Sequence, residues 1–212
     1  MSSTNPFINR SVPSEAALSA NETDEHSEEG VSIAHGPTRP LAQNVEHEAT
    51  ETIPKRAATG EALIHVAGVH GGAGATTLCT LLGDDGSDAH GSWPQTNPWA
   101  PAATGATLLV ARTHGRGLDA LHETLTAWHH GAYADAFPLL GICIVDDAPR
   151  PTKDQVKRMK TLMGMAPHSW HMPWVESYRV ETQELSTSLG TRRLLNSIRR
   201  HANRLQTKGT SS

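Results

Sequence analysis

The chain has 212 residues, a formal net charge of −4 and 37% apolar residues. No stretch reaches the roughly 20 apolar residues of a membrane-spanning helix, so no membrane span is predicted. Both cysteines, Cys79 and Cys143, lie in apolar runs and are predicted to be buried free thiols, which favours a cytoplasmic protein in a reducing compartment.

Residues 1–59 differ in composition from the rest of the chain. They contain nine acidic and four basic side chains and few large apolar ones. Such a segment buries too little apolar surface to offset the conformational entropy lost on folding, roughly 1–2 kcal/mol per residue. We therefore predict a disordered acidic leader over residues 1–59, a folded domain over residues 60–206 and a disordered tail over residues 207–212.

The first predicted element is a short apolar run bounded by glycine. LIHVAGV (Leu63–Val69) is rich in β-branched residues and predicts a strand, and a helix is predicted over Thr76–Leu82. Asp84–Gly105 is rich in Asp, Gly, Pro and Asn. We expect a long surface loop there, held to the domain by Trp93 and Trp99.

Three more strands are predicted further along the chain, over Ala106–Arg112, over Leu139–Val145 and within His168–Trp174. Apolar side chains recur at helical spacing between and after these strands, and Thr191 is the expected N-cap of the last helix. The apolar positions of the three helices are Leu118, Leu121, Leu125 and Trp128; Val156, Met159 and Met163; and Leu194, Leu195, Ile198, Ala202 and Leu205.

Strands and helices therefore alternate from Leu63 to Leu205. Such alternation is typical of an α/β fold in which a parallel sheet carries helices on both faces. The continuous apolar character of Leu139–Val145 agrees with a strand covered on both sides.

A glycine-rich stretch, GVHGGAGATTLC (Gly68–Cys79), joins the first strand to the first helix. Such a turn gathers backbone N–H groups around one point, and the positive end of the helix dipole favours an anion there. The hydroxyl of Thr76 is placed to bind Mg²⁺. The candidate nucleotide-binding residues are Gly71, Gly72, Gly74, Ala75, Thr76 and Thr77. The alternative is a glycine turn that serves only the tight packing of the strand against the helix.

The segment HGGAGATT (His70–Thr77) resembles the deviant Walker A loop of ParA/MinD-type ATPases, Lys-Gly-Gly-x-Gly-Lys-Thr-Thr. The glycines and both threonines match, whereas His70 and Ala75 stand where that family has lysines. In the family, the first lysine reaches a partner's nucleotide across a dimer, and the second holds the β- and γ-phosphates. The resemblance implies a shortened P-loop NTPase-like domain with ATP and Mg²⁺ as ligands.

The resemblance extends more weakly over Leu63–Leu205. ATLLVARTHGRGLDALHETL, LLGICIVDDAP and MPW resemble later strands, a helix and a turn near the adenine site of that family. The family's second and third strands, its switch regions and its Walker B aspartate have no counterpart in the sequence, and Asp84–Gly105 lies in their place. The pattern also resembles uncharacterised bacterial proteins associated with mobile elements.

Two further groups of residues are candidates for a metal site. VDDAPR (Val145–Arg150) resembles a Walker B strand, and Asp146 is therefore a candidate Mg²⁺ ligand beside Thr76. The alternative, which we favour, is that Asp-Ala-Pro only forms a turn. The chain also has 13 histidines, whose scattered spacing favours surface positions over a zinc site.

The final predicted helix is basic, with Arg192, Arg193, Arg199 and Arg200 as candidate contacts to nucleic acid. The alternatives are a solvated helix face or a contact surface for the acidic leader.

Because two cationic positions of the phosphate loop are replaced, the leading hypothesis is not an enzyme. It is a non-catalytic interaction or regulatory protein with a vestigial or weak nucleotide-binding loop and a protein partner, which includes a second copy of itself. The resemblance implies a role in DNA partitioning or transfer. One alternative is a Mg²⁺-dependent ATPase in which a partner subunit, Arg112 or Arg116 supplies the missing charge. Another is a nucleic-acid-binding module that uses the basic helix.

Overall fold

The computed structural model describes residues 52–58, 61–96, 104–176, 178 and 187–209. All described residues belong to one compact unit of the chain, residues 45–212. The predicted disorder of residues 1–51 and 210–212 lies outside the described residues.

The strands of the described ranges follow the order of the predicted alternation and add three short members. They are β1 (Lys55–Ala57), β2 (Ile64–Gly68), β3 (Gly86–Asp88), β4 (Trp93–Gln95), β5 (Ala106–Arg112), β6 (Leu139–Val145) and β7 (Ser169–Met172). The helices are α1 (Ala75–Leu82), α2 (Gly115–His129), α3 (Lys153–Met163) and α4 (Leu189–Gly209).

The main sheet is parallel throughout and has the strand order β3-β2-β5-β6-β7. Helices α2 and α3 pack on one face, and α1 and α4 pack on the other. The predicted α/β fold, with a parallel sheet and helices on both faces, is therefore confirmed. Since β2 is followed by α1 and the chain then returns to β3 beside β2, the glycine-rich loop lies at the carboxyl edge of the sheet.

Alternation along the central strand β5 explains the two cores. Leu109 and Ala111 pack with the apolar side of α2, whereas Leu108 and Val110 pack with α1 and α4, and all four are fully buried. A Leu→Ala change in such a position typically costs about 2–5 kcal/mol. This rigid two-sided core fixes the position of the loops at the strand ends.

Local polar groups define where the helices begin. The ring of His114 accepts a hydrogen bond from the backbone N–H of Gly117 at 3.0 Å and caps α2. Thr152 and Gln155 form a capping box at the start of α3. The cap of α4 is Ser188, whose hydroxyl accepts from the Thr191 backbone N–H at 3.1 Å, so the prediction of Thr191 as N-cap was three residues late.

The structure differs from the sequence prediction at the end of the leader. Residues 55–57 form β1, which pairs in parallel with β4, and Ile53 is buried. The hydroxyl of Tyr133 donates to the Ile53 carbonyl oxygen at 3.1 Å and accepts from its backbone N–H at 3.0 Å. These tertiary contacts order residues whose composition alone predicts disorder.

The predicted loop over Asp84–Gly105 also contains structure. It includes β3, paired with β2 through Val66 and Asp88, and β4, in which Trp93 is fully buried and stacked on Tyr133 at 4.0 Å. Gly86 allows α1 to approach β3 closely, because a Cβ there would lie 2.8 Å from Leu82 Cβ. Trp93 therefore fixes this segment as expected, and Trp99 lies outside the described residues.

Candidate phosphate-binding site

The loop between β2 and α1 has a backbone that depends on glycine. Gly72 and Gly74 have φ angles of +74° and +97°, in the left-handed region that other residues rarely adopt. A hydrogen bond from the Ala73 backbone N–H to the His70 carbonyl oxygen, at 3.3 Å, closes the first turn. The loop thus curls tightly before α1 begins at Ala75.

Six backbone amides of this loop have no acceptor within the described part of the chain. They are the N–H groups of Gly71, Gly72, Gly74, Ala75, Thr76 and Thr77. The last three belong to the first turn of α1, where the amides have no intrahelical partner. The same residues line a cavity of about 700 Å³. All six predicted nucleotide-binding residues are therefore brought together around one cavity.

The described residues of the cavity wall include no lysine. Ala75 packs its methyl group toward β2, 3.5 Å from the position that a Cβ on Gly68 would take. Arg112 is the single Arg or Lys side chain among the described residues that line the cavity. Its Nε donates to the Gly72 carbonyl oxygen at 2.7 Å, and its Nη1 lies 3.4 Å from Asp147 Oδ1. Arg116 is exposed in the first turn of α2.

The carboxylate that accompanies Thr76 is Asp88. The Thr76 hydroxyl donates to Asp88 Oδ2 at 2.8 Å, and Asp88 Oδ1 accepts from the His90 backbone N–H at 2.8 Å. Asp88 is the last residue of β3, the strand beside β2. This carboxylate was not among the predicted site residues, because it ends a short strand within the segment that the sequence predicts as a loop.

Asp146, the predicted Mg²⁺ ligand, is engaged elsewhere. It is 5% exposed, its Oδ1 lies 2.9 Å from His171 Nε2, and its backbone N–H donates to the Met172 carbonyl oxygen at 2.9 Å. It lines a second cavity of about 40 Å³ that also touches Gly74, Thr77 and Arg112. Asp146 thus belongs to the β6–β7 end of the sheet, next to the loop but without a contact to the Thr76 hydroxyl.

The two thiols are held protonated. Burial, and next the negative charge of Asp88, raise the pKa of Cys79 to about 12. Burial raises the pKa of Cys143 to about 12. Both cysteines are free, as predicted, although Cys79 is only partly buried. A thiol with such a pKa is a poor nucleophile at neutral pH.

The basic character of α4 is confined largely to one exposed face. The exposed arginine and asparagine side chains of the helix are Arg192, Arg193, Asn196, Arg200, Asn203 and Arg204. Arg199 does not belong to this face, because its Nε donates to Asp85 Oδ2 at 2.6 Å and its Nη2 donates to the Leu82 carbonyl oxygen at 2.8 Å. Arg199, predicted as a nucleic-acid contact, thus bonds to Leu82 of α1 and to Asp85 in the structure.

Two other features bear on the function class. Within the described ranges, no three His, Cys, Asp or Glu side chains come together as a metal-binding group. None of the described helices combines the length and the apolar character needed to cross a membrane.

The fold and this loop define an α/β protein with a glycine-rich turn between a strand and a helix. The chain belongs to a family of unknown function (DUF6668), whose model matches residues 62–192, more than half of its length. The matched residues include the loop, Asp88, Arg112 and Asp146, whereas most of the basic face of α4 lies beyond them. No curated protein and no solved structure matches the chain.

Proposed function

We propose that the protein is a non-catalytic interaction or regulatory protein whose loop binds the phosphates of a nucleotide. The observation that carries this proposal is the set of six amides, without acceptors in the described part of the chain, on residues that line a cavity of about 700 Å³. This volume lies in the range of small-molecule sites. Glycine-rich turns at helix N-termini bind phosphate because their amides and the helix dipole complement negative charge.

Mg²⁺ fits the residues beside the loop. The Thr76 hydroxyl and the Asp88 carboxylate lie 2.8 Å apart, and both offer the oxygen ligands that Mg²⁺ prefers. Mg²⁺ usually keeps several waters and needs only one or two protein groups when phosphates complete its shell. Thr76 and Asp88 would hold the ion, which would neutralise phosphate charge.

Recognition is expected to rest on the phosphates more than on the base. The second cavity, beside Gly74 and Thr77, is lined by Pro173, Trp174 and Tyr178, where the resemblance implies the adenine site. Its volume of about 40 Å³ has room for a water or two rather than a purine. We therefore expect ATP and inorganic tripolyphosphate to bind with affinities within about tenfold of each other.

The proposal of a non-catalytic role rests on charge. Phosphoryl transfer depends on cations that stabilise the transition state, and one such group can contribute about 10³–10⁵ in rate. Here the lysine position is Ala75, and Arg112 already binds the Gly72 carbonyl oxygen and lies 3.4 Å from Asp147. Binding is less sensitive, since one charge-assisted hydrogen bond contributes about 1.5–3 kcal/mol.

Equilibrium dialysis of ATP with and without Mg²⁺, followed by a phosphate-release assay, tests this function. We expect Mg²⁺-dependent binding that falls about 10–100-fold in Thr76→Ala, with no turnover. Thr80→Ala is the matched control, because Thr80 lies one turn along α1 and its hydroxyl donates to the Thr76 carbonyl oxygen at 3.0 Å. Ala75→Lys should tighten binding about tenfold. Steady phosphate release that disappears in Thr76→Ala would instead establish an ATPase that uses Arg112 or a partner's cation.

A second candidate function, nucleic-acid binding, is favoured by the exposed face of α4. Arg193, Arg200 and Arg204 are spaced by seven and four residues and so lie along one line of the helix. No carboxylate among the described residues pairs with these three arginines, and α4 itself contains no acidic residue. The neighbouring Asn196 and Asn203 add amide donors, which suits contact with a phosphate backbone.

This candidate is tested by titrating duplex DNA at several salt concentrations. The triple variant Arg193→Gln/Arg200→Gln/Arg204→Gln should weaken binding and reduce the slope of log K against log salt by about 0.9 for each phosphate that the variant no longer neutralises. Lys153→Gln/Lys157→Gln/Lys160→Gln removes the same charge from exposed positions of α3, on the opposite face of the sheet, and serves as the control. Absent binding, or equal weakening in both variants, contradicts a specific role for α4.

A further inference from the structure

His70 replaces a lysine of the resembled loop, but its ring does not act as a substitute cation in this structure. Nε2 lies 3.1 Å from the Arg112 backbone nitrogen, and Nδ1 lies 2.9 Å from the Gly71 carbonyl oxygen. A backbone N–H always donates and a backbone carbonyl always accepts. Nε2 must therefore carry the lone pair and Nδ1 the proton, which assigns the neutral Nδ1–H tautomer.

The ring of His70 fills a space that α2 leaves open. A Cβ on Gly117 would lie 2.8 Å from His70 Nε2 and 2.5 Å from the Arg112 carbonyl oxygen. The ring also meets the ring of His114 edge-on, with centroids 4.8 Å apart. Glycine at position 117 thus admits the imidazole between the end of β5 and the first turn of α2.

Arg112 binds the loop at two points. Its backbone N–H donates to the His70 ring, and its guanidinium donates to the Gly72 carbonyl oxygen at 2.7 Å. The His70 ring donates to the Gly71 carbonyl oxygen, and the Arg112 guanidinium donates to the Gly72 carbonyl oxygen. Neither oxygen can turn toward a bound anion without breaking its hydrogen bond. Both contacts therefore favour the loop conformation in which backbone N–H groups, and not these oxygens, are available to the anion.

Protonation of His70 would disturb this arrangement. An imidazolium presents N–H groups at both nitrogens, so Nε2–H would face the Arg112 backbone N–H, and two donors cannot bond each other. The charged and titratable residues of the elements that contact the ring are His114, whose ring lies edge-on to it, and Arg112, whose Nη1 lies 3.4 Å from Asp147 Oδ1.

We propose that His70 is a positioning residue that holds the loop in its anion-binding form only while the imidazole is neutral, so that acidification weakens phosphate binding. The proposal rests on the phosphate-binding function above. The predicted change in phosphate affinity on acidification is opposite to that of a cationic histidine ligand, which would bind phosphate more tightly as it gains a proton.

The test compares tripolyphosphate binding by wild type and His70→Gln at about pH 8 and about pH 5.5, which span the range where imidazoles gain a proton. Glutamine retains an acceptor for the Arg112 N–H and does not titrate. We expect similar affinities at pH 8 and a three- to tenfold advantage of His70→Gln at pH 5.5, roughly the effect of one hydrogen bond. The ratio of the two proteins' affinities at each pH does not depend on the titration of tripolyphosphate, because that titration affects both proteins equally.

Two more variants complete the design. His70→Phe keeps a ring but accepts no hydrogen bond, and should bind more weakly than wild type at pH 8. His122→Gln changes an exposed histidine on α2 and should keep the wild-type pH profile. Independently of any ligand, ¹⁵N NMR of the imidazole should show the Nδ1–H tautomer for His70 at pH 8.

The outcomes are distinguishable. No binding by wild type at pH 8 would overturn the phosphate-binding function and this inference with it. Binding at pH 8 with the same wild-type to His70→Gln ratio at both pH values would overturn the inference alone. A wild-type affinity that rises on acidification, and does so less in His70→Gln, would identify the ring as a cationic ligand, as would an imidazolium at pH 8.

Discussion

Two aspartates at the same edge of the sheet have different partners. Asp88 ends β3 and accepts a hydrogen bond from the Thr76 hydroxyl, whereas Asp146 follows β6 and pairs with His171. Both carboxylates lie where a parallel sheet binds ligands. The strand order β3-β2-β5-β6-β7 explains the difference, because β3 is adjacent to β2 and β6 is two strands away. Position in the sheet, and not position along the chain, therefore decides which carboxylate contacts the glycine-rich loop and the start of α1.

The largest expected effects test how each aspartate is placed. Gly141→Ala should destabilise the protein by about 3 kcal/mol or more, because its Cβ would lie 2.2 Å from the His168 carbonyl oxygen, a backbone atom that joins β6 to β7. Gly86→Ala should cost about 1–3 kcal/mol, since its Cβ would lie 2.8 Å from Leu82 Cβ, a less severe approach than the one at Gly141.

Urea unfolding measures both changes. Gly115→Ala is the control, because a Cβ there meets nothing within 4 Å. Gly86→Ala should also weaken Mg²⁺-dependent ATP binding by moving Asp88. A larger drop in stability in Gly86→Ala than in Gly141→Ala would show that β3 is less adaptable than its contacts indicate.

The next effect separates the two carboxylates by function. Asp88→Asn should lower the Mg²⁺-dependent affinity for ATP about tenfold or more, because it removes the negative charge beside the Thr76 hydroxyl. Asp146→Asn retains the shape of its side chain and should change this affinity by less than about twofold. Calorimetry with and without Mg²⁺ provides the measurement, and equal decreases in the two variants would contradict the assignment of Asp88.

The smallest effect concerns the thiols. Asp88 is the second cause of the raised pKa of Cys79, after burial, whereas burial alone accounts for Cys143. Asp88→Asn should therefore lower the pKa of Cys79 in part and increase its alkylation rate several-fold between about pH 8 and 10. Mass spectrometry resolves the two sites. Cys143 should not change, and a rate increase at both cysteines would indicate loosened packing.

The long apolar elements were predictable from the sequence. β5 and β6 have the bounds that their apolar runs predict, since burial on both sheet faces selects continuous hydrophobic residues. β3 was missed because Gly-Ser-Asp has low strand propensity and becomes a strand only through pairing with β2. The signal that would have found Asp88 is topological: a strand and its helix must be followed by a return to the sheet.

The site was predictable in its backbone but not in its side-chain contacts. The glycine spacing predicted a tight turn, and Gly72 and Gly74 indeed have positive φ values, which favour glycine. The partners of His70, Arg112 and Arg199 lie on other elements, up to 117 residues away along the chain. Local sequence patterns carry no information on such pairings, which depend on how helices and strands are arranged.

The short strand β1 has a consequence for how the protein is divided into fragments. Thr52, Ile53 and Pro54 precede it and form part of the cavity wall, and the backbone N–H groups of Thr52 and Ile53 both donate to the Tyr133 hydroxyl at 3.0 Å. A recombinant fragment restricted to the family-matched residues 62–192 would lack this wall and uncover Trp93. Expression boundaries for ligand screening or crystallisation should therefore begin upstream of residue 52.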